Sequence, residues 1–311
     1  MASTALLGVL AGRLDWASLG RHISSLDLRW LAPAVVLSPL CVILLTARWN
    51  LFLRARGLRP PFGSLLRLLW TGQFLNTFLP GAVGGDIYKA VVVGRLLPHS
   101  IWEAGSTVVL DRFCALVALV LLAAIGFGWH GAWLHQIAQG VASLPFWLSP
   151  VLLLGVAAAI ASGLWLLRKE QGGASWAGRA GEVLRAVAAG LRDWRTFGTA
   201  LILSLVIHLA NFGVFFVLGR ALGLGLAFGQ VLLVMPAVLL AAMLPISING
   251  HGVRELILLG YFGWQSIVLP GETDPATAAV AVSLLFVAND LLWNLPGGLW
   301  LAWGKPNHPP S

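Results

Sequence analysis

Charged residues are scarce in this sequence. Asp, Glu, Lys and Arg make up 10% of the 311 residues, whereas soluble domains carry about 25%. The hydrophobic fraction is 58% and the mean hydropathy is +0.85, against roughly 45–50% apolar residues in soluble domains. This composition excludes a soluble globular protein. It predicts a chain that folds inside a bilayer, where Trp and Gly, present 15 and 36 times, are both enriched.

Cysteine is almost absent as well. The only two cysteines, Cys41 and Cys114, lie inside apolar segments, where a small hydrophobic thiol is the usual occupant. We therefore expect no disulfide, no metal site and no cofactor. The P-loop pattern G-x-x-x-x-G-K-[ST] is also missing, so the sequence offers no nucleotide-binding loop of that kind.

The net charge of +8 does not indicate a nucleic-acid partner. The basic residues form short clusters between apolar segments, and no nucleic-acid-binding module is recognisable. In membrane proteins such clusters mark the cytoplasmic loops. Residues 168–196 and 54–61 are therefore predicted to be cytoplasmic, whereas 130–146 and 270–275, which contain no Lys or Arg, are predicted to lie outside.

Apolar segments of two kinds predict the architecture. Five are long enough to cross about 30 Å of hydrocarbon as helices, namely 30–53, 108–129, 147–167, 197–218 and 276–303. In two intervals between these spans, the predicted sides of the flanking loops require the chain to cross the membrane an even number of times. Each interval contains a pair of shorter apolar segments separated by a Pro/Gly cluster, 62–79 with 87–97 and 227–246 with 252–269. We interpret each pair as a re-entrant hairpin, whose broken backbone must be buried in protein or line a cavity. The predicted fold is an all-α, polytopic helical membrane protein with inverted repeats and two re-entrant hairpins.

The N-terminal segment is too short to span. Residues 2–12 supply 11 mostly apolar positions, roughly half a span. We expect an interfacial amphipathic segment over 13–29 on the outer face, and an upstream start codon that would complete a first helix. The predicted organisation is an N-terminal segment at 1–29, a single transmembrane domain at 30–303 and a cytoplasmic tail at 304–311.

The two broken segments resemble each other. LPGAVGGDIYKA at 79–90 and LPISINGHGVRE at 244–255 align without a gap at a spacing of 165 residues. One hairpin is predicted to open from the cytoplasm and the other from outside, so the two are expected to be inverted copies. Inverted repeats that meet at interrupted helices are typical of secondary transporters, which bind substrate between the repeats.

The breaks also have the chemistry of an anion site. Pro80 and Pro245 end a helix, and a new half-helix is expected to start near Asp86 or His251. The unpaired N–H groups of such a start attract phosphate or carboxylate. The predicted lipid-phosphate-binding residues are Lys89, Arg254, Gly84, Gly85, Asp86, Gly250, Gly252 and Glu255.

The two cations leave a second interpretation open. Lys89 and Arg254 are expected in the first turn of their half-helices, where the helix dipole disfavours a cation unless an anion is near. A lipid phosphate would supply that anion, but Asp86 can equally pair with Lys89 at i, i+3, and Glu255 with Arg254. Ionisable residues at the bilayer centre cost roughly 2.5–3.5 kcal/mol each on insertion scales, so a cluster of them favours a functional site.

Other polar residues in the predicted spans have supporting or structural roles. The supporting set is Arg48, Asp111, Arg112 and Asp290. Asp111 and Arg112 follow each other and can form an interfacial pair. Asp290, Glu255 and Asp86 are the candidate proton carriers. Hydrogen bonds between helices are expected from His208, Asn76 and Asn211.

Four motifs together resemble the lysylphosphatidylglycerol synthase transmembrane family, the flippase-like domain of UPF0104-type membrane proteins. They are RWNLFLRARG (48–57), FLNTFLPGAVGGDIYKA (74–90), VVLDR (108–112) and LPISINGHGVRE (244–255), and the likeness covers about residues 13–303. It implies a lipid-flipping bundle with two re-entrant elements, fused in some members to a cytoplasmic aminoacyl-transferase domain. It places the family's polar cluster on Arg48, Asp86, Lys89, Asp111, Arg112, Arg254 and Glu255. Asn249 and His251 depart from the small residues common in the family.

Three functions are compatible with these observations. The first is a flippase that moves a phospholipid or related polar lipid between leaflets, driven by a lipid or ion gradient or by none. The second is a phosphatidylglycerol lysyltransferase, which needs a globular aminoacyl-tRNA-binding domain that we do not expect here. The third is a lipid-binding scaffold for a separate lipid-modifying enzyme. The sequence favours the first, with membrane lipids as partners and the inner or plasma membrane as location.

Overall fold

A computed structural model describes residues 16–78, 84–96, 101–129, 185, 187–242 and 252–303. Over these residues the chain forms helices and no strand, so the all-helical class predicted from the sequence is confirmed for them. In chain order the helices are α1 (Trp16–Ser24), α2 (Leu28–Ala55), α3 (Phe62–Phe78), α4 (Gly84–Leu96), α5 (Ile101–Trp129), α6 (Trp194–Ala221), α7 (Phe228–Ala242), α8 (Val253–Gln265) and α9 (Pro275–Trp303).

Four of these helices are long and apolar enough to cross a membrane. Their spanning segments are Leu28–Ala55, Ala104–Gly126, Trp194–Ala221 and Pro275–Trp303. They match the predicted spans at 30–53, 108–129, 197–218 and 276–303, and the chain is a multi-pass membrane protein. The fifth predicted span, 147–167, lies outside the described residues, as do loop 130–146 and most of 168–196.

The long helices α2 and α6 begin and end in the same way. Asp27 precedes α2 and Asp193 precedes α6, and each side chain accepts a hydrogen bond from a backbone N–H of the first turn, at 2.9 and 3.2 Å. Such acceptors satisfy the first unpaired N–H groups of a helix, and the bonds from Thr196 lower the pKa of the exposed Asp193 carboxyl. Each helix ends before a glycine in the left-handed region, Gly57 at φ 75° and Gly223 at φ 76°.

A sequence repeat accompanies these shared ends. At a spacing of 166 residues, Arg54, Ala55, Gly57, Leu58, Phe62, Gly63 and Leu66 recur as Arg220, Ala221, Gly223, Leu224, Phe228, Gly229 and Leu232. The helix lengths repeat too, with 28, 17, 13 and 29 residues in α2–α5 and 28, 15, 13 and 29 in α6–α9. The described chain therefore contains two halves of the same element order, α2–α5 and α6–α9.

The contacts between helices are reciprocal between the halves. α3 packs on α9 as α7 packs on α5, α4 packs on α5 as α8 packs on α9, and α3 packs on α4 as α7 packs on α8. Trp49 of α2 and Phe215 of α6 occupy corresponding positions, are 1% and 0% exposed, and belong to two different buried apolar clusters. The Trp49 cluster lies within the first half, and the Phe215 cluster is mostly from the second half but also includes Ala34 of α2 and Leu119 of α5. The two halves meet where α2 packs against α6, and also where α3 packs against α9 and α7 against α5.

α2 and α6 pack antiparallel. At one end the N–H of Asp27 donates to the carbonyl of Ala221 at 3.1 Å, and nearer the other end Arg48 donates to the hydroxyl of Ser204 at 3.0 Å. The residue numbers of the contact positions on α6 decrease, from 221 to 204, as those on α2 increase, from 27 to 48. Two apolar helices in this arrangement cross a membrane in opposite directions.

α5 also runs antiparallel to α2. The indole N–H of Trp49 donates to the hydroxyl of Thr107 at 3.1 Å, and Arg48 contacts Asp111 one turn further along α5. The end of α2 and the start of α5 therefore lie side by side. The chain between them, which includes α3 and α4, leaves and returns at the same end of this helix pair.

The segment predicted to be interfacial, 13–29, contains α1. Leu19 is buried against the second half of the bundle, while the neighbouring Gly20 and Arg21 face away. His22 Nε2 donates to the carbonyl of Pro270 at 3.2 Å, and Arg21 lies 3.9 Å from Glu272. α1 is thus amphipathic and packs at the end of the bundle where α6 ends and α9 begins.

Candidate functional site

The start of α4 is packed closely against α3. A Cβ atom at Gly85 would collide with the backbone of Gly72 on α3, so only glycine fits this crossing. Asn76, one turn further along α3, accepts a hydrogen bond from the N–H of Gly85 at 2.7 Å through its side-chain oxygen. Asn76 therefore satisfies one of the N–H groups that a helix start leaves unpaired.

A buried carboxylate in the first turn of α4 binds two cations. One oxygen of Asp86 lies 2.6 Å from the ammonium of Lys89, and the other accepts a hydrogen bond from Nε of Arg112 on α5 at 2.5 Å. Lys89 is 6% exposed and its ammonium lies 5.6 Å from the ring centre of Trp49, a distance at which a ring face attracts a cation. The side chain of Arg112 is 42% exposed.

The start of α8 depends on a glycine and a glutamate. Gly252 precedes the helix with φ 90°, a conformation that residues with a Cβ rarely adopt. Its N–H donates to Oε2 of Glu255 at 2.5 Å, so a carboxylate of the first turn caps its own helix. Glu255 is 4% exposed.

The second oxygen of Glu255 joins α8 to α9. Nη2 of Arg254 donates to this Oε1 atom at 3.1 Å, and Nε of Arg254 donates to the hydroxyl of Ser283 on α9 at 2.8 Å. Ser283 in turn donates its hydroxyl hydrogen to Glu255. The guanidinium also lies 5.8 Å from the ring centre of Phe286. All the hydrogen-bonding partners in this cluster are buried.

Both ion pairs that the sequence allowed are therefore formed, Lys89 with Asp86 and Arg254 with Glu255. One detail of the prediction is wrong. Lys89 lies in the second turn of α4 rather than the first, because the helix begins at Gly84 and Asp86 is the charged residue of its first turn. Arg254 does lie in the first turn of α8.

A third buried ion pair ties three helices together. Arg48 on α2 donates from Nε and Nη2 to the two carboxylate oxygens of Asp111 on α5, at 2.7 and 2.8 Å. Its Nη1 donates to Ser204 on α6 at 3.0 Å. The suggested pairing of Asp111 with Arg112 is thus not the one adopted, because consecutive residues of a helix point in different directions. Asp111 forms its ion pair with Arg48, and Arg112 forms its ion pair with Asp86.

One face of α9 carries polar side chains along much of its length. Ser283, Asp290 and Asn294 are spaced i, i+7 and i+11 and therefore lie on the same side of the helix. Ser283 belongs to the Arg254 cluster, and Asn294 donates to the hydroxyl of Thr77 on α3 at 2.9 Å. We call these three residues the polar face of α9. It reaches from the start of α8 to the end of α3.

Asp290 lies between those two contacts. It is within electrostatic reach of Arg254 and of the thiol of Cys41. Its neighbour Asn289 points elsewhere and donates to Ser38 on α2 at 2.8 Å.

Predicted hydrogen bonds between helices are confirmed for two residues. Nε2 of His208 on α6 donates to the carbonyl of Ala115 on α5 at 3.0 Å, and Asn76 joins α3 to α4. For Asn211, the described residues offer no partner to the buried side-chain oxygen. Cys41 and Cys114 are both buried free thiols. In the described part of the chain, no group of His, Cys, Asp and Glu has the arrangement of a metal site.

Pro80, Pro245, Asn249, Gly250 and His251 lie outside the described residues. Two residues that were not predicted from the sequence also belong to the site. Ser204 completes the Arg48 cluster and Ser283 the Arg254 cluster, each from a helix distant in the chain. A serine in an apolar helix carries little signal on its own, and only the packing of α6 and α9 reveals these two roles.

The chain is similar in sequence to known membrane proteins. The profile of the family described as the lysylphosphatidylglycerol synthase TM region matches residues 1–295. A UPF0104 membrane protein of Methanothermobacter thermautotrophicus is 25% identical over 312 aligned positions, which cover 90% of this chain and 87% of that protein. The UPF0104 membrane protein PH1989 of Pyrococcus horikoshii is 26% identical over 119 positions, covering 37% of this chain and 36% of that protein.

Proposed function

The chain belongs to the lysylphosphatidylglycerol synthase TM region family, and on that premise we propose that it translocates a phospholipid or related polar lipid between the leaflets of the cell membrane. In this proposal the lipid phosphate replaces a carboxylate as the partner of two buried cations, Lys89 in the second turn of α4 and Arg254 in the first turn of α8. The observation that carries this proposal is the pair of short helices, one in each half, that each contain a buried cation within their first two turns, held by an acidic residue of the same helix.

The arrangement of the halves supports an alternating mechanism. α2–α5 and α6–α9 repeat the same element order, and their first helices pack antiparallel. We infer that the halves are inverted repeats and that α3–α4 and α7–α8 are the re-entrant hairpins. In transporters built this way the substrate lies between the repeats, and access alternates when one repeat rocks against the other.

The contacts of Asp86 allow Lys89 to change partner. Asp86 binds Lys89 with one oxygen and Arg112 with the other. When the ammonium of Lys89 turns to a lipid phosphate, Arg112 still neutralises the carboxylate. The exchange therefore leaves no buried charge unpaired, which is the costly outcome when an ion pair is broken.

Arg254 has the same freedom. If its guanidinium turns to a phosphate, Glu255 keeps the hydrogen bonds from the N–H of Gly252 and the hydroxyl of Ser283. Guanidinium groups bind phosphate with paired N–H donors, and such charge-assisted bonds are about twice as strong as neutral ones. Each carboxylate thus holds its cation in place and can release it to phosphate.

The Arg48–Asp111 pair has a different role in this proposal. Both carboxylate oxygens and three guanidinium donors are used internally, and both residues are buried. We assign this pair to fixing α2, α5 and α6 relative to one another. The helices that carry the proposed lipid-binding residues are then packed around three helices whose relative positions are fixed by this pair.

A leaflet assay tests the proposal. The full chain is reconstituted into phosphatidylcholine vesicles that contain phosphatidylglycerol labelled with NBD on an acyl chain, and dithionite is added outside. We expect dithionite to quench nearly all the NBD signal in protein-containing vesicles but only the outer-leaflet fraction in protein-free ones. The Lys89→Gln/Arg254→Gln variant should lose this activity. A monodisperse wild-type protein that binds the lipid but leaves the inner-leaflet signal intact would instead identify a lipid-binding scaffold.

A further inference from the structure

We propose that Asp290 binds a proton that crosses the membrane with the lipid, so that translocation of an anionic phospholipid is driven by a proton gradient. This inference rests on the proposed lipid translocation and extends it to the driving force.

The position of Asp290 is the first argument. On the polar face of α9, Ser283 contacts the start of α8, and Asn294 contacts Thr77 at the end of α3. From the helical rise, Asp290 lies about 10 Å along the axis from Ser283 and about 6 Å from Asn294. It therefore lies between the start of α8, which contains Arg254, and the end of α3, which is hydrogen-bonded to the start of α4 through Asn76.

The second argument is that Asp290 has no ion-pair partner of its own among the described residues, whereas Asp86, Asp111 and Glu255 each have one. Of the helices packed on α9, α8 presents Arg254, and α2 presents the thiol of Cys41. Arg254 is already bound by Glu255. In the described parts of α1, α3 and α6 we find no charged or titratable group that interacts with Asp290. Among the described residues, Asp290 thus has no cation within salt-bridge distance, whereas Glu255 has Arg254 at 3.1 Å.

The other two acidic residues of the site are satisfied without a proton. Asp86 binds both Lys89 and Arg112, and Glu255 accepts hydrogen bonds from Arg254, from Ser283 and from the N–H of Gly252. Of the three candidate proton carriers, Asp290 is therefore the one whose negative charge is least balanced by cations and hydrogen-bond donors among the described residues.

Lipid binding and proton binding then reinforce each other. A phosphate bound to Arg254 adds a negative charge beside Glu255 and Asp290, which repels the Asp290 carboxylate and favours its protonated form. By linkage, a protonated Asp290 strengthens phosphate binding by the same factor. One phosphodiester and one proton move as a neutral pair, and the proton leaves Asp290 when the lipid leaves on the other side. No covalent bond changes and no oxidant or reductant is needed.

The experiment uses vesicles with an imposed pH gradient. NBD-labelled phosphatidylglycerol reports the leaflet distribution, internal pyranine reports pH, and valinomycin with potassium clamps the membrane potential. With an acidic exterior, wild type should accumulate the labelled lipid in the inner leaflet and acidify the lumen as it does so. Asp290→Glu should keep this response and Asp290→Asn should lose it. The matched control is Asp274→Asn, the same chemical change at the exposed residue that caps the start of α9.

If Asp290→Asn is folded but inactive, a measurement of lipid binding at different pH values tests whether the residue binds the proton. Wild-type affinity for NBD-labelled phosphatidylglycerol in detergent should fall as pH rises, by a factor typical of coupled sites, roughly five- to a hundredfold, and Asp290→Asn should show no such dependence. Wild-type protein that flips the lipid without responding to the gradient would overturn proton coupling and leave lipid translocation intact. Wild-type protein that does not flip the lipid at all would overturn both.

Discussion

Arg48 and Asp111 are 63 residues apart in the chain and form two hydrogen bonds of 2.7 and 2.8 Å in the buried centre of the bundle. The remaining donor of Arg48 reaches Ser204. Together they join the helices that begin the two halves to α5. The charge pair lies within the first half, and the hydrogen bond from Arg48 to Ser204 links it to the second half.

The first prediction concerns the stability that this pair provides. Arg48→Met leaves the Asp111 carboxylate buried without its partner, and breaking a buried pair in this way costs about 3–5 kcal/mol. We expect the melting temperature of the variant in detergent, measured by tryptophan fluorescence, to be clearly lower than that of wild type. The double variant Arg48→Met/Asp111→Leu removes both charges and should recover most of the loss. Asp193→Asn, at an exposed cap, is the control and should differ little from wild type.

A double variant no more stable than Arg48→Met would contradict this explanation. It would mean that the hydrogen bond to Ser204, or the shape of the site, contributes more than the charge balance does.

The second prediction concerns the crossing of α3 and α4. Gly85→Ala places a methyl group against the backbone of Gly72, and overpacking of this kind costs typically 1–3 kcal/mol. We expect the variant to lose stability and lipid translocation together, since the start of α4 is displaced. Gly105→Ala on α5 is the matched control, because no atom lies within 4 Å of the added Cβ. Normal melting and activity of Gly85→Ala would show that the hairpin tolerates a wider crossing.

The third prediction is the topology. Single cysteines are introduced as Arg59→Cys, Arg95→Cys, Arg192→Cys and Glu272→Cys in a protein lacking Cys41 and Cys114. Because the end of α2 lies beside the starts of α5 and α6, we expect the first three to react with an impermeant maleimide from the cytoplasmic side. Glu272→Cys should react from the opposite side. Labelling of Arg95→Cys from the same side as Glu272→Cys would mean that the α3–α4 hairpin crosses the membrane, which would contradict the re-entrant interpretation.

Much of the architecture could be predicted from local sequence. Apolar length alone located the four spans of α2, α5, α6 and α9, and the spacing of Asp86 and Lys89, three residues apart, indicated their ion pair. The repeat was visible only in part. The broken segments align only weakly, at a spacing of 165 residues, whereas the clearer signal is RARGL at 54–58 and RALGL at 220–224, where both long helices end at a left-handed glycine.

The contacts between distant helices could not be predicted. Asp111 and Arg112 are adjacent, so their partners depend on how α5 is rotated against α2 and α4, and a single sequence carries no information on that rotation. The same holds for Ser283, which completes the Arg254 cluster from 29 residues away. Local rules identify which residues are charged and on which helix, whereas the packing of the helices decides which charges meet.

The most direct test of the account is the lipid translocation rate of Lys89→Gln. Removal of Lys89 leaves Asp86 paired with Arg112 at 2.5 Å, so the variant should fold and melt like wild type. If Lys89 binds lipid phosphate, the lost charge-assisted contact, worth about 1.5–3 kcal/mol, should slow phosphatidylglycerol translocation by roughly ten- to a hundredfold, and Lys89→Arg should be affected less. A stable Lys89→Gln protein that translocates phosphatidylglycerol at the wild-type rate would contradict the account, because Lys89 would then serve only its ion pair with Asp86.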